Sequence, residues 1–140
     1  MQAITLFTSR FQGYRPGQGV PVRITRGAPR FRLPYQITHT VAELAPAAAY
    51  FHRPRPEFTA SYRADLAALG AARIAERLGR IAQQEGEQRL VLLCFEDLAK
   101  SDVWCHRRIF ADWWQDVTGD QVRELGPMAG PSPYEQGTLL

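Results

Sequence analysis

Lysine is almost missing from this chain: Lys100 is the only one among 17 lysine and arginine residues, so the positive charge is carried by arginine. Cysteine is scarce too. Two cysteines in 140 residues are too few for a secreted disulfide framework, and in a reducing compartment they default to free thiols. No apolar run approaches the ~18 residues that span a bilayer, which excludes a membrane-spanning reading. The opening MQAITLFTSR lacks the basic and apolar regions of a secretory leader, so the expected location is cytoplasmic. There is no G-x-G-x-x-G turn and no other cofactor signature, so no cofactor is expected.

What is present fits one globular domain. A chain of 140 residues with 45% apolar content can bury a core without staples. Its formal charge of +3 is unevenly spread: residues 1–60 carry eight arginines against Glu43 and Glu57, while residues 61–140 carry nine basic and twelve acidic side chains. Six arginines fall between Arg10 and Arg32, with Tyr14 and Phe31 among them and Tyr35 just beyond. Such interleaving suits a nucleic-acid partner; arginine forks equally suit small phosphates or carboxylates.

Ala3–Thr8 alternates weakly and predicts a first strand, with Ser9 and Arg10 at its end. Phe11–Gly19 must be a loop, Pro21–Thr25 a second strand, and Pro46–Phe51 a short helix with proline at its first position. The longest helical pattern runs from Phe58 to Gln84, and Gly70 is placed to split it. From Gly126 the tail has no periodicity, so the domain is expected to occupy 1–125 and residues 126–140 to be a mobile tail.

The densest chemistry lies in RLVLLCFEDLAKSDVWCHRRIFADWW, Arg89 to Trp114. Leu90–Phe95 is apolar without alternation, as a strand buried on both faces of a parallel sheet reads. After a polar loop, Val103–Val117 has helical spacing, with Asp102 as expected N-cap and Gly119 as expected C-cap. Val122–Leu125 then supplies another strand. Strand, crossover helix and strand predict an α/β domain: a mostly parallel sheet, helices on both faces, in Rossmann-like layering.

Ligands of such sheets collect beyond the carboxyl ends of the strands. Glu96 sits at that edge, where desolvation turns a carboxylate into a general base or nucleophile; its alternative role is to hold Arg10 or Arg107. Cys105 and His106 are the other candidate catalytic residues, a thiol favoured as thiolate by a helix start and a proton carrier. Cys94, inside the strand, reads first as a small core residue, and a transient Cys94–Cys105 disulfide stays open. Ser9, Arg10, Arg26 and Arg107 are the candidate ligand-binding residues, because three segments deliver arginine forks toward one edge. Cys94, Glu96, Cys105 and His106 are all zinc-ligand types. Yet Cys105 and His106, adjacent on a helix, would point about 100° apart, so no metal is expected. Ten residues without glycine separate the cysteines, unlike the tight anion loop of cysteine phosphatases.

The pattern L-L-C-F-E, W-C-H-R-R and D-W-W resembles the domain of unknown function 488 family. The likeness extends to TLFTSRF, PVRITRGAPRF, the leucine and proline of ELAP, FTASYRADL and VREL, and covers most of residues 3–125. It implies a compact α/β domain whose site is built from C-x-E, C-H-R and the Ser9–Arg10 pair. The expected function is binding of an anionic small molecule, a nucleotide or phosphorylated metabolite, by a hydrolase or transferase. The alternative is a non-catalytic nucleic-acid module using Arg15, Arg23, Arg30 and Arg32.

Overall fold

Leu90, Val91, Leu92 and Leu93 are all fully buried, as a strand covered on both faces requires. The computed structural model describes residues 3–129. In chain order its elements are β1 (Thr5–Arg10), β2 (Val20–Arg23), β3 (His39–Thr40), α1 (Arg55–Leu69), α2 (Ala71–Glu85), β4 (Arg89–Cys94), α3 (His106–Thr118) and β5 (Arg123–Glu124), with 3-10 turns at Phe11–Gly13, Ala42–Leu44 and Ala48–Tyr50. The sheet order is β3-β2-β4-β1-β5 and every pairing is parallel. β4 is central, and Glu96 follows its carboxyl end.

The register sorts the side chains by face. Leu6 pairs with Leu90, and Val20 and Val22 with Leu90 and Leu92; these point to the main core, filled by Phe58, Tyr62 and Leu66 of α1, Ile74, Leu78 and Ile81 of α2, and Phe110, Trp113 and Trp114 of α3. Phe7, Val91 and Leu93 point the other way, onto Phe11, Tyr14, Leu33, Tyr35 and Ile37. Helices thus pack on one face and not on both as the layering predicts, because the right-handed crossovers β2→β4 and β4→β5 run in the same direction across the sheet. The second cover is the 3-10 turn and irregular chain between Phe11 and Ile37, with Tyr14 donating to the Gly19 carbonyl at 2.5 Å and Tyr35 to that of Phe11 at 2.5 Å. Gly19 has φ +140°, and a Cβ there would stand 2.6 Å from the Arg89 carbonyl oxygen, so only glycine lets β2 start this close to β4.

Several boundaries differ from the sequence expectation. Gly70, at φ 87°, does split the long pattern. But α1 starts three residues earlier than Phe58, at Arg55 inside the expected breaker run, because a proline in the first helical turn gives up only an N–H that has no partner there. The expected helix over Pro46–Phe51 is a single 3-10 turn, and β3 is too short to show alternation. Residues 126–129 run back along the domain, where the Ala129 N–H donates to the Leu98 carbonyl at 2.6 Å; the remainder of the expected mobile tail lies outside the described residues. Among the described residues no helix is long and apolar enough to cross a membrane.

Burial of tyrosines on both faces predicts an alkaline transition. Desolvation pushes Tyr35 and Tyr50 up to about 12 and raises Tyr14 and the fully buried Tyr62. A folded phenol pKa above the unfolded ~10 means that stability is intact below pH 10 and falls as pH rises toward 12. Tyrosinate absorbance should therefore grow cooperatively with loss of far-ultraviolet circular dichroism. Smooth ionisation of the tyrosines in a still-folded chain would contradict this packing.

Candidate functional site

The start of α3 decides the geometry of the site. Asp102 was the expected N-cap, but it lies in a turn with φ 63°, a left-handed conformation that aspartate tolerates. The helix begins at His106, and Cys105 is its N-cap, extended at φ −145° and ψ 145°. The 100° separation that argued against a shared ion applies only to two residues within a helix, so that argument fails here. One ligand atom each from Cys94, Glu96, Cys105 and His106 lies within 4.8 Å of all the others.

The approach is closest around Cys94. Its Sγ is 3.1 Å from Glu96 Oε1 and 3.5 Å from His106 Nδ1, while Cys105 Sγ is 3.9 Å from the same Nδ1. The two sulfurs are joined as a disulfide, their Cα atoms 7.5 Å apart. The pairing departs from the default of free thiols and takes the alternative of a Cys94–Cys105 disulfide, and Cys105 is as buried as Cys94 rather than more open. Cys94 is not only a core residue: as the last residue of β4 it faces the start of α3.

His106 is buried with its Nε2 2.7 Å from the Ile24 carbonyl oxygen. A carbonyl only accepts, so Nε2 carries the hydrogen and the lone pair on Nδ1 points at the sulfurs. Burial, with help from the Arg107 charge, lowers the imidazole to about 4 against the lift from Ile24; it is neutral at pH 7. Burial raises the half-exposed Glu96 carboxyl, against its own backbone N–H and Arg107.

The arginines divide. Arg26 is exposed, 5.8 Å over the Phe51 ring, and with Thr25, Pro46, Phe51 and Phe95 it walls a cavity of about 220 Å³ floored by Cys94, Glu96 and His106. Arg10 bonds Asp97 at 2.7 Å and Gln12 at 2.6 Å. Arg107 is fully buried and holds Glu124 through two bonds, Nε to Oε1 at 3.0 Å and Nη2 to Oε2 at 2.8 Å. Neither pairs with Glu96. They do converge, on a neighbouring cavity of about 310 Å³ shared with Asp97 and Glu124, but both forks are engaged by carboxylates, so the expected anion clamp beside Glu96 is not formed. Ser9 is buried, its hydroxyl donating to the Arg10 carbonyl at 3.0 Å. Arg15, Arg30 and Arg32 are exposed on the chain that covers the sheet's second face, and Arg23 is half-buried.

Sequence reasoning missed the Ile24 carbonyl, Phe51, Pro46 and Glu124. The first is a backbone group, and the apolar walls carry no pattern. Glu124 did leave a signal, an acid within the short strand pattern VREL. No curated protein and no solved structure matches this chain. One family model does match, over residues 20–114, and that span includes both halves of the cluster: the chain belongs to the family described as Domain of unknown function DUF488.

Proposed function

We propose that the chain binds an anionic small molecule with an apolar body in the cavity between Arg26 and Glu96, and acts on it as a hydrolase or transferase with Glu96 as base. The supporting observation is the meeting of a half-desolvated carboxylate, the Cys94 sulfur and a neutral imidazole on the floor of one cavity at the carboxyl edge of the sheet. Arg26 supplies a fork at the mouth, and Phe51 and Phe95 supply ring-sized apolar walls. A volume of about 220 Å³ admits one ring and its anionic group rather than a whole dinucleotide.

Phenyl phosphate is a suitable probe, followed by ligand-observed NMR. Saturable binding that weakens about tenfold in Arg26→Ala, as expected from loss of one charge-assisted fork, supports the site. Glu96→Gln keeps the shape and should abolish any turnover of a nitrophenyl ester probe. Equal binding in wild type and Arg26→Ala, or none at millimolar probe, would sink the reading. Steep loss of binding with salt, spread over Arg15, Arg30 and Arg32, would instead favour a nucleic-acid surface.

A further inference from the structure

Four electron-pair donors converge at the end of β4, and no hydrogen lies between His106 and the sulfurs. His106 Nε2 spends its hydrogen on the Ile24 carbonyl, so Nδ1 offers a lone pair to both cysteines. Disulfide sulfurs have no hydrogen to give, and one of them stands 3.1 Å from a carboxylate oxygen. A protonated Glu96 could bridge to Cys94 but would leave Nδ1 and Cys105 facing each other unbridged. Once the disulfide is reduced, the two thiols can donate to Glu96 and Nδ1 or, as thiolates, share one cation with them, and the cation satisfies all four groups at once. We propose that the reduced form of this cluster binds one zinc-class divalent ion through Cys94, Cys105 and His106, with Glu96 at the fourth corner.

The distances suit that ion. Zinc bonds of about 2.0–2.3 Å in a tetrahedron give ligand–ligand edges of roughly 3.3–3.8 Å; the 3.1, 3.5 and 3.9 Å here lie within a few tenths of an ångström of that range, and the two bonded sulfurs part on reduction. The Cα atoms of the cysteines, 7.5 Å apart, already stand wider than the ~4.4–6.8 Å of ordinary disulfides, so two separate thiolates fit this backbone. The Ile24 carbonyl is the outer partner that ligating histidines use to fix tautomer and ring orientation. Cys94, Cys105 and His106 are buried and held by β4 and α3. Glu96 alone is half-exposed and faces the cavity, which makes it the exchangeable corner. This inference rests on the cluster and not on the cavity's occupant. It fits the preceding reading, because a carboxylate released from the ion by an entering anion is free to act as base.

Reduction must come first. A phosphine takes up one oxygen from water while the disulfide gains two electrons and two protons, and the two thiols then lose those protons to buffer as the ion binds. Cobalt(II) is the probe, added to phosphine-reduced protein in metal-free buffer. The expected result is one ion per chain, with the visible bands of tetrahedral cobalt and a near-ultraviolet thiolate-to-cobalt band, all displaced by one equivalent of zinc. Cys94→Ser and Cys105→Ser should each halve the thiolate band and weaken binding at least a hundredfold. Glu96→Gln should keep the thiolate band and bind about tenfold more weakly.

The wild-type chain provides a test independent of variant folding. Diamide, which becomes a hydrazine as it takes two electrons and two protons from the thiols, should expel the ion, and fresh phosphine should restore it. Two titratable thiols with no cobalt spectrum and no zinc adduct in native mass spectrometry would overturn the proposal, as would a spectrum unchanged in both cysteine variants. Phenyl phosphate binding without metal uptake would remove the ion alone, and metal uptake without probe binding would remove the cavity reading alone.

Discussion

Glu124→Ala should cost about 3–5 kcal/mol of unfolding free energy, the usual effect of stranding a buried charge. Arg107 is among the largest fully buried side chains, and the Glu124 side chain is only 2% exposed. The carboxylate accepts from Arg107 twice and from Thr8 Oγ1 at 2.7 Å, while Arg108 Nη1 donates to Thr8 Oγ1 at 2.9 Å and to the Val122 carbonyl at 2.8 Å. The network ties α3 to β1 and β5. One donor, Arg107 Nη1, has no partner among the described residues, so the site is already under-satisfied before any substitution. Removing the acid leaves the whole guanidinium uncompensated, whereas Arg107→Met with Glu124→Leu removes both charges at similar volume and should come within about 1–2 kcal/mol of wild type. Urea denaturation with a double-mutant cycle gives the coupling. A single-variant cost below 1 kcal/mol would mean that water reaches the pair. The double variant also tests the electrostatics above it: without the Arg107 charge, the pKa values of both Glu96 and His106 should rise, since that cation lowers each of them.

The same pair shows what sequence could and could not convey. Arg107 was legible as a residue at the start of a helix near the functional edge, but its partner was not, because Glu124 is brought beside it only by the order β4-β1-β5. The central strand was readable from Leu90–Leu93, since an apolar run without alternation suits only a doubly covered strand. The split at Gly70 and the cap at Gly119 were readable because glycine marks a change of backbone direction. The cluster was half readable. Cys94, Glu96, Cys105 and His106 were all singled out, yet their convergence depended on one cap position: moving the helix start from Asp102 to Cys105 frees that cysteine from the helical screw and turns it toward Cys94. A helix boundary shifted by three residues is an ordinary error of sequence reading, and here it reverses the conclusion about a shared ion. Of the cavity walls only Arg26 was legible, since Pro46 and Phe51 sit in irregular chain far from β4 in sequence.

Tyr62→Ala should be among the most damaging single changes in the main core, at about 3–5 kcal/mol for truncating a buried aromatic, and its effect should reach the site. Tyr62 is 1% exposed on α1, its hydroxyl donates to the Leu44 carbonyl at 2.6 Å, and its ring meets the His106 imidazole edge-on at 5.6 Å. The contact braces the imidazole from α1, while Ile24 fixes it through Nε2. Tyr62→Phe separates the two contributions: it keeps the ring against His106 and loses only the bond to Leu44, about 1–2 kcal/mol with one carbonyl left unpaired. Nitrogen-15 NMR of His106 reads the tautomer directly. In Tyr62→Phe the Nε2–H form should persist. In Tyr62→Ala the imidazole gains room to turn, and the tautomer should become mixed even where the fold survives. Phenol added to Tyr62→Ala should refill the space and raise the unfolding midpoint in proportion to the logarithm of its concentration above its dissociation constant, restoring the single tautomer as it does so. A His106 signal unchanged across both variants would show that the Ile24 bond alone orients the ring and that α1 plays no part in the site.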